Sequence, residues 1–291
     1  MRILITGKNG QVGKCLVDLL EAQTDITFLA LNREELDITD AIQVSKIVSE
    51  FEPDIIINAA AYTAVDKAEQ ERQLANAINR DGPSNLALAA QKINAAIIHI
   101  STDYVFDGDS VDSYTESDVT APQGEYGRSK LAGEQAVAHA CPKHIILRTA
   151  WVFGEHGNNF VKTMLRLAKT RESLGVVADQ FGGPTYAGDI ANAIVTIAKQ
   201  IVDGNQAYGT YHYSGFPHVN WHAFAEKIFE IALDKGVLVQ PIKVNPITTL
   251  DYPTPAKRPA NSRLNTEKIK NAFLIEASDW QLALTRIEEY L

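Results

Sequence analysis

The segment Gly7-Lys8-Asn9-Gly10-Gln11-Val12-Gly13 follows a short apolar run, Arg2 to Thr6, and opens an amphipathic one, Val12 to Ala22. A strand that turns through three glycines directly into a helix constrains the fold more than any other stretch of this chain. A tight turn, close approach of a pyrophosphate, and a helix pressed against a strand each require a residue without a Cβ. The helix start then offers unpaired N–H groups and a partial positive charge to phosphates. Gly7, Gly10, Gln11, Val12 and Gly13 are therefore candidate cofactor contacts. The plain alternative is a strand-to-helix turn whose glycines are incidental.

The alternation continues. Ile26 to Leu31, Asp54 to Asn58, Ala95 to Ile100 and His144 to Arg148 are short β-branched runs that read as strands. Asp40 to Phe51, Gln70 to Ile93 and Gly127 to Ala140 between them read as helices. Nearly all-apolar strands separated by helices predict an α/β fold, a doubly wound parallel sheet of Rossmann type over residues 1–150. Residues 151–291 predict a smaller C-terminal lobe, mainly substrate-binding, with some elements returning to the first domain. Within it, Asn159 to Thr170 is a basic amphipathic helix and Asp189 to Ile201 an apolar one. The stretch Pro246 to Asn265, rich in Pro, Thr and Arg, predicts a segment wandering over the surface.

Composition narrows the function. The chain has 291 residues and a net charge of -9, which argues against a nucleic-acid binder and its basic face. Its longest apolar runs fall far short of a membrane span, and no secretory leader is evident. The two cysteines, Cys15 and Cys141, form no Cys-x-x-Cys pair, so a disulfide framework is not expected. The cytoplasm is the expected compartment.

The end of the second strand commonly selects the dinucleotide. An acidic residue there holds the ribose of NAD, whereas an Arg meets the 2′-phosphate of NADP. Leu31-Asn32-Arg33-Glu34 leans towards NADPH, with NADH as the alternative and Arg33 also readable as a solvated loop residue. Asp37 and Ile38 follow and are candidates to border the adenine, or form a simple helix lead-in.

Ser101-Thr102-Asp103 lies just past the fourth strand, on the carboxyl edge where open α/β sheets bind ligands. Tyr126-Gly127-Arg128-Ser129-Lys130 comes at a helix start, with Tyr126 and Lys130 on one face. A phenol of pKa about 10 is a poor acid–base catalyst near neutrality unless its anion is stabilised. A lysine ammonium within about 4–6 Å lowers that pKa, and a Thr102 hydroxyl can orient a carbonyl oxygen. A Tyr-x-x-x-Lys spacing alone is usually a surface pair. Behind a glycine turn and a post-strand Thr, it predicts a carbonyl reductase or alcohol dehydrogenase.

On these residues the chain resembles the extended short-chain dehydrogenase/reductase family, nearly end to end. The resemblance is carried by GKNGQVG at 7–13, NAAAYTAVDKAE at 58–69, STDYVFDG at 101–108 and YGRSKLAGE at 126–134. RTAWVFG at 148–154, GNNFVKTMLRLA at 157–168, DQFGGPT at 179–185 and YPTPAKRPANSRLNTEK at 252–268 narrow it to the branch reducing dTDP-4-dehydro sugars. It implies hydride transfer from NAD(P)H to C4 of dTDP-4-dehydro-β-L-rhamnose, a small-molecule nucleotide-sugar substrate. By the same likeness Tyr126 supplies the proton, Lys130 supports it and Thr102 holds the keto oxygen. Asp103, Trp151, Asn159 and Arg258 are implied substrate contacts. Gly10, Gln11, Val12, Asp37, Ile38, Ala60, Ala61, Tyr62 and Thr63 are implied cofactor contacts. Arg258 and Asn261-Ser262-Arg263 suit a diphosphate or base, or form a solvated basic loop.

Some members of this family are similar to one another in forming Mg²⁺-bridged dimers through acidic residues, one of them early in the first helix. Here that place reads Gly13-Lys14-Cys15, without a carboxylate, so no metal is expected and the chain is a monomer or homodimer. His218 and His222 stand at a zinc-like spacing, but Val-Asn-Trp between them offers no Glu and a capping or surface role is expected. Two further readings compete: a catalytically silent regulatory subunit of methionine adenosyltransferase type, and a different sugar-nucleotide epimerase or dehydratase. Retention of Thr102, Tyr126 and Lys130 argues against the first. Asp103 alone, without a second acidic residue beside it, argues against a dehydratase.

Overall fold

Strands buried on both faces need apolar side chains pointing both ways, and the Ile- and Leu-rich runs supply them. In the computed structural model, which describes residues 1–291, five such strands lie parallel in one sheet: β1 (Arg2–Thr6), β2 (Thr27–Leu31), β3 (Ile55–Asn58), β4 (Ala96–Thr102) and β5 (His144–Thr149). The order across the sheet is β2-β1-β3-β4-β5, with Gly209–His212 added parallel to β5 at the far edge. Alternate residues separate cleanly. Ile3, Ile5, Ile55, Ile57, Ile98, Ile145 and Leu147 join one buried cluster of 27 residues. Leu4, Ile56, Ile97 and Ile146 join another of 15 on the opposite face.

Helix α1 (Gln11–Glu21) and the helix Ala187–Val202 cover the first face. Helix α2 (Ala41–Phe51) and the helices Gly82–Lys92 and Glu125–Ala140 cover the second. This is the predicted doubly wound α/β sheet. Asp40 caps α2 by accepting from the amides of Ile42 and Gln43, and the helix ends before Pro53 with Glu52 left-handed at φ 44°. Because β1 lies between β2 and β3, the chain reverses its winding there, and a crevice opens at the carboxyl ends of β1 and β3.

Two expectations need correction. The helix predicted over Gln70 to Ile93 is instead Arg72–Asn76, a wide π-type turn Ala77–Asp81, and Gly82–Lys92. Pro83 lacks the N–H that regular α-helical bonding would need at that point. The wide turn directs the buried Asn79 at the Tyr62 backbone, accepting from its N–H at 2.8 Å and donating to its carbonyl at 3.0 Å. The stretch Pro246 to Asn265 runs over the surface only in part, with Leu250 and Tyr252 exposed. Lys243–Ile247 pairs parallel with Ser173–Val177, and Asn261–Ser262 pairs with Phe181–Gly182. Ala256, Asn261, Ser262 and Leu264 are buried. Its polar residues are held by partners far away in sequence, which local composition does not reveal.

A further cluster of 17 buried residues, including Phe153, Phe224, Ile228 and Trp280, forms the core of the C-terminal side. No helix is long and apolar enough to cross a membrane.

Beneath the carboxyl edge of the sheet lies a buried ion pair. Arg148 of β5 meets Glu134 of the Glu125–Ala140 helix in a bidentate contact at 2.9 and 2.7 Å, and Ser101 donates to the same carboxylate at 2.5 Å. Both charged residues are at most 5% exposed. Removing one partner leaves the other charge uncompensated, at a cost of about 3–5 kcal/mol. Glu134→Ala is expected to lose that much stability in urea unfolding, whereas Glu134→Leu combined with Arg148→Met is expected to recover most of it. Equal losses in the single and double variants would contradict this account.

Candidate active site

The glycine turn is built by close contact. Gly7 has φ +78°, and a Cβ there would lie 2.6 Å from the Ala60 nitrogen at the end of β3. A Cβ on Gly13 would lie 2.1 Å from the Gly7 carbonyl oxygen, so α1 can press against the turn only with glycine at that place. Gly10 meets nothing closer than 3.4 Å and leaves its side open. No side chain caps α1, which starts at Gln11 without an acidic residue in its first turn. The amides there remain suited to an anion.

In front of this turn lies a cleft of about 420 Å³ at the β1/β3 switch point. Of the predicted cofactor residues, Gly7, Gly10, Arg33, Asp37, Ile38, Ala60, Ala61, Tyr62 and Thr63 line it. Val12 and Gly13 are instead buried in the packing of α1. Gln11 does not line the cleft and accepts from the Asn159 side chain at 3.0 Å. Thr39 donates to Asp37 from both its backbone and its hydroxyl, holding that carboxyl below the usual range. Arg33 is exposed at the cleft and joins no ion pair, whereas the neighbouring Lys8 is bound to Glu35 at 2.7 Å. Asn9, Asn32 and Leu36 also line the cleft; they lie beside predicted residues, but nothing in their own chemistry singled them out.

The segment Ala59 to Ala64 lines this first cleft, and two residues further on Asp66 lines a second cavity of about 750 Å³. Both volumes suit small ligands. Trp151 and Arg258 line the second cavity, joined by Tyr104, Trp221 and Ser262. Trp151 has φ +49° and stacks on Trp221 with centroids 3.5 Å apart, so one face of the indole is already occupied. That face is therefore closed to a substrate. Asn159 is not at the cavity. It caps the helix Phe160–Ala168 by accepting from Lys162, and its amide donates to Gln11 and Gly154. Arg258 donates from Nη2 to Asp66 at 2.7 Å, while its buried Nη1 has no partner. Asn261 and Arg263 fix the loop, Asn261 donating to the Ser110 and Asp112 carbonyls and Arg263 to Asn261.

Thr102 ends β4, and Tyr126 and Lys130 occupy the first turns of the helix Glu125–Ala140. A Cβ on Gly127 would lie 2.2 Å from the Tyr104 carbonyl oxygen, so this helix start sits tightly on the turn after Thr102. The rings of Tyr104 and Tyr126 meet edge to face at 5.4 Å. Lys130 is 2% exposed, and its Nζ donates to the Ile100 carbonyl at 2.6 Å. Burial pulls this ammonium down to about 8, against the opposing charge of Glu134.

Tyr126 is half-buried by area, with its hydroxyl deep enough that burial pushes the phenol up to about 12, opposed by the Thr102 hydroxyl. The expected depression by Lys130 is not seen: loss of water and the Asp103 charge both raise the phenol. Thr102 donates to Asp103 Oδ1 at 3.0 Å, while Oδ2 is buried without a partner. Burial pushes the Asp103 carboxyl up to about 6, with Ser262 and Thr102 hydroxyls opposing. Ser262 and Asp66 enter from distant sequence. Each sits in a motif the sequence reading quoted, but only the fold shows what it faces.

The model of the RmlD substrate binding domain family matches residues 1–291. A dTDP-4-dehydrorhamnose reductase from Aggregatibacter actinomycetemcomitans is 53% identical over 290 residues, covering 99% of each chain. The Escherichia coli K12 protein of the same name is 43% identical, over 99% of this chain and 97% of that one. Among solved structures, the Bacillus anthracis dTDP-4-dehydrorhamnose reductase in complex with NADP has a TM-score of 0.91 at 42% identity, covering 99% of both chains. On this full-length match and these identities, the chain belongs to the RmlD family, the family of the dTDP-4-dehydrorhamnose reductases.

Proposed function

We infer that this chain reduces the C4 ketone of dTDP-4-dehydro-β-L-rhamnose to dTDP-β-L-rhamnose with NADPH. The observation that carries the reading is the placement of Thr102, Tyr126 and Lys130 at the sheet's carboxyl edge in a chain of this family. The first cleft takes the dinucleotide, with residues 1–150 supplying its walls. The second cavity takes the nucleotide sugar, with residues 151–291 supplying most of its walls. Both lie within one chain, which suits a monomer or a homodimer. The two soluble substrates suit the cytoplasm.

When bound, the nicotinamide supplies a hydride to the C4 carbon. As that bond forms, the carbonyl π pair moves onto oxygen, and the Tyr126 phenol gives its proton to the resulting alkoxide. A phenol pushed up to about 12 is fully protonated at neutral pH and stands ready as the donor. The phenolate left behind is stabilised by the Lys130 ammonium four residues on, then reprotonated from solvent. Thr102 orients the keto oxygen, which replaces Asp103 Oδ1 as the acceptor of its hydroxyl proton. The unpartnered Arg258 Nη1 suits a diphosphate oxygen, while Asp66 holds the other arm of the guanidinium.

Three outcomes test this reading in NADPH-oxidation assays with dTDP-4-dehydro-β-L-rhamnose. Tyr126→Phe is expected to lower kcat by about 10²–10⁴-fold while leaving NADPH binding intact. Full activity in that variant would remove Tyr126 as the donor, and no turnover by the native chain would remove the reductase reading.

Arg33→Ala is expected to weaken NADPH by about 10- to 100-fold, from loss of a charged phosphate contact, and to leave NADH unchanged. Equal effects on both dinucleotides would show that Arg33 does not read the 2′-phosphate.

Asp66→Asn is expected to raise the KM for the nucleotide sugar about 5- to 20-fold with kcat little changed, because the guanidinium loses a charged hydrogen bond of about 1–2 kcal/mol. A fall in kcat at constant KM would place Asp66 elsewhere in the mechanism.

A further inference from the structure

One cluster of ligating side chains lies outside both cavities. Cys15, in the second turn of α1, is buried, and its thiol sits 3.9 Å from Glu155 Oε1. His156 Nε2 lies 3.9 Å from that same oxygen and 3.0 Å from Asp18 Oδ2. Donor atoms of Cys15, Glu155 and His156 all fall within 4.8 Å of one another. The second carboxylate oxygen, Glu155 Oε2, is buried without a hydrogen-bond partner. An unpartnered buried carboxylate oxygen is costly, and a cation beside it removes that cost.

We propose that Cys15, Glu155 and His156 form a binding site for a zinc-class divalent cation, with water completing its shell. The donor set is one sulfur, one imidazole nitrogen and carboxylate oxygens, which suits a borderline-soft ion and not a hard one such as Mg²⁺. Zinc bonds of about 2.0–2.3 Å in a tetrahedron place neighbouring donors about 3.3–3.8 Å apart. The separations of 3.9 Å from Glu155 Oε1 to the Cys15 thiol and to His156 Nε2 come within a few tenths of an ångström of those edges.

The frame holding the ligands is already fixed. Cys15 and Asp18 stand three apart on one face of α1. Glu155 and His156 are consecutive in the loop after the short strand Val152–Phe153. Lys162 Nζ donates to the Glu155 carbonyl at 2.9 Å, and Asn159 ties the same loop to Gln11 and to Gly154. Tyr186 donates to Glu155 Oε1 at 3.1 Å and orients the carboxylate from behind. Binding is an ion exchange without redox change: the cation takes the thiolate and the thiol proton leaves to solvent. Cys15 comes from α1 and Glu155 and His156 from the loop after Val152–Phe153, so a cation held by all three staples the 154–159 loop to α1.

The test uses the full chain, stripped with chelator, loaded with Zn²⁺ and desalted before metal analysis. One zinc per chain is expected, with Cys15→Ser and His156→Ala each weakening retention more than about tenfold. Loading with Co²⁺ gives an independent readout. A thiolate-to-cobalt charge-transfer band is expected in the native chain and in Cys141→Ser, and is expected to vanish in Cys15→Ser. Thermal melts of the stripped variants confirm that they fold, and His156→Gln replaces either variant that does not. Retention well below one zinc per chain, equal retention in the variants, or a charge-transfer band that survives Cys15→Ser would each overturn the proposal.

Discussion

The contact between two glycines governs the layout of the catalytic half. Gly13 of α1 passes over the Gly7 carbonyl at a distance that admits no Cβ, and Gly7 in turn lies against the Ala59–Ala60 backbone at the end of β3. Helix, turn and two strands are thereby locked at one point. Because β1 is flanked by β2 on one side and β3 on the other, that point is also where the winding reverses and the sheet leaves a crevice. The uncapped start of α1 faces the same place. A larger residue at either glycine would separate α1 from the turn and move the N–H groups that suit a phosphate. The fold and its capacity for a dinucleotide therefore rest on the same contact.

The electrostatics of the candidate reaction centre follow from one cause, loss of water. Burial raises the Tyr126 phenol and the Asp103 carboxyl and lowers the Lys130 ammonium, so each is pressed towards its neutral form. The nearby Glu134 opposes this for Lys130, but its charge is already engaged by Arg148 in a bidentate pair. Pairing those two charges with each other keeps a strong field away from the phenol. A proton donor that must hold its proton until an alkoxide appears is served by that arrangement. The Tyr126–Lys130 spacing alone predicts a phenol pKa lowered by the lysine. In the fold, loss of water is the largest effect on the phenol, and Lys130 donates to the Ile100 carbonyl.

What was legible in the sequence is what local chemistry dictates. The Ile-rich strands, the glycine turn, the Asp40 cap and the Tyr126–Lys130 spacing all carry their reason within a few residues. Less legible was anything decided by a partner far along the chain. Asn159 looks like a polar loop residue available to a sugar, yet its amide is consumed by Gln11, Gly154 and the helix it caps. Trp151 looks free to stack, yet Trp221, seventy residues later, lies against its face. The Pro246 to Asn265 stretch has the composition of a loose loop, but strand pairing and buried side chains hold it in place. Cys15 had no visible companions, because Glu155 and His156 come from across the fold.

The Asp66–Arg258 pair shows how such a distant partner ties the two cavities together. Asp66 follows the segment that lines the dinucleotide cleft, and it accepts from the Ala256 backbone as well as from the Arg258 guanidinium. The loop carrying Arg258 is thus anchored to the wall of the first cleft while its free arm is buried beside the second. Any displacement of the Ala59 to Ala64 segment is transmitted through Asp66 to the position of that arm. The guanidinium has five donors in a fixed plane, so a small rotation misdirects the ones not held by Asp66. A chain that must seat two ligands against each other at hydride-transfer distance gains from a rigid link of this kind. It lets the residues that frame one ligand also set the register of the other.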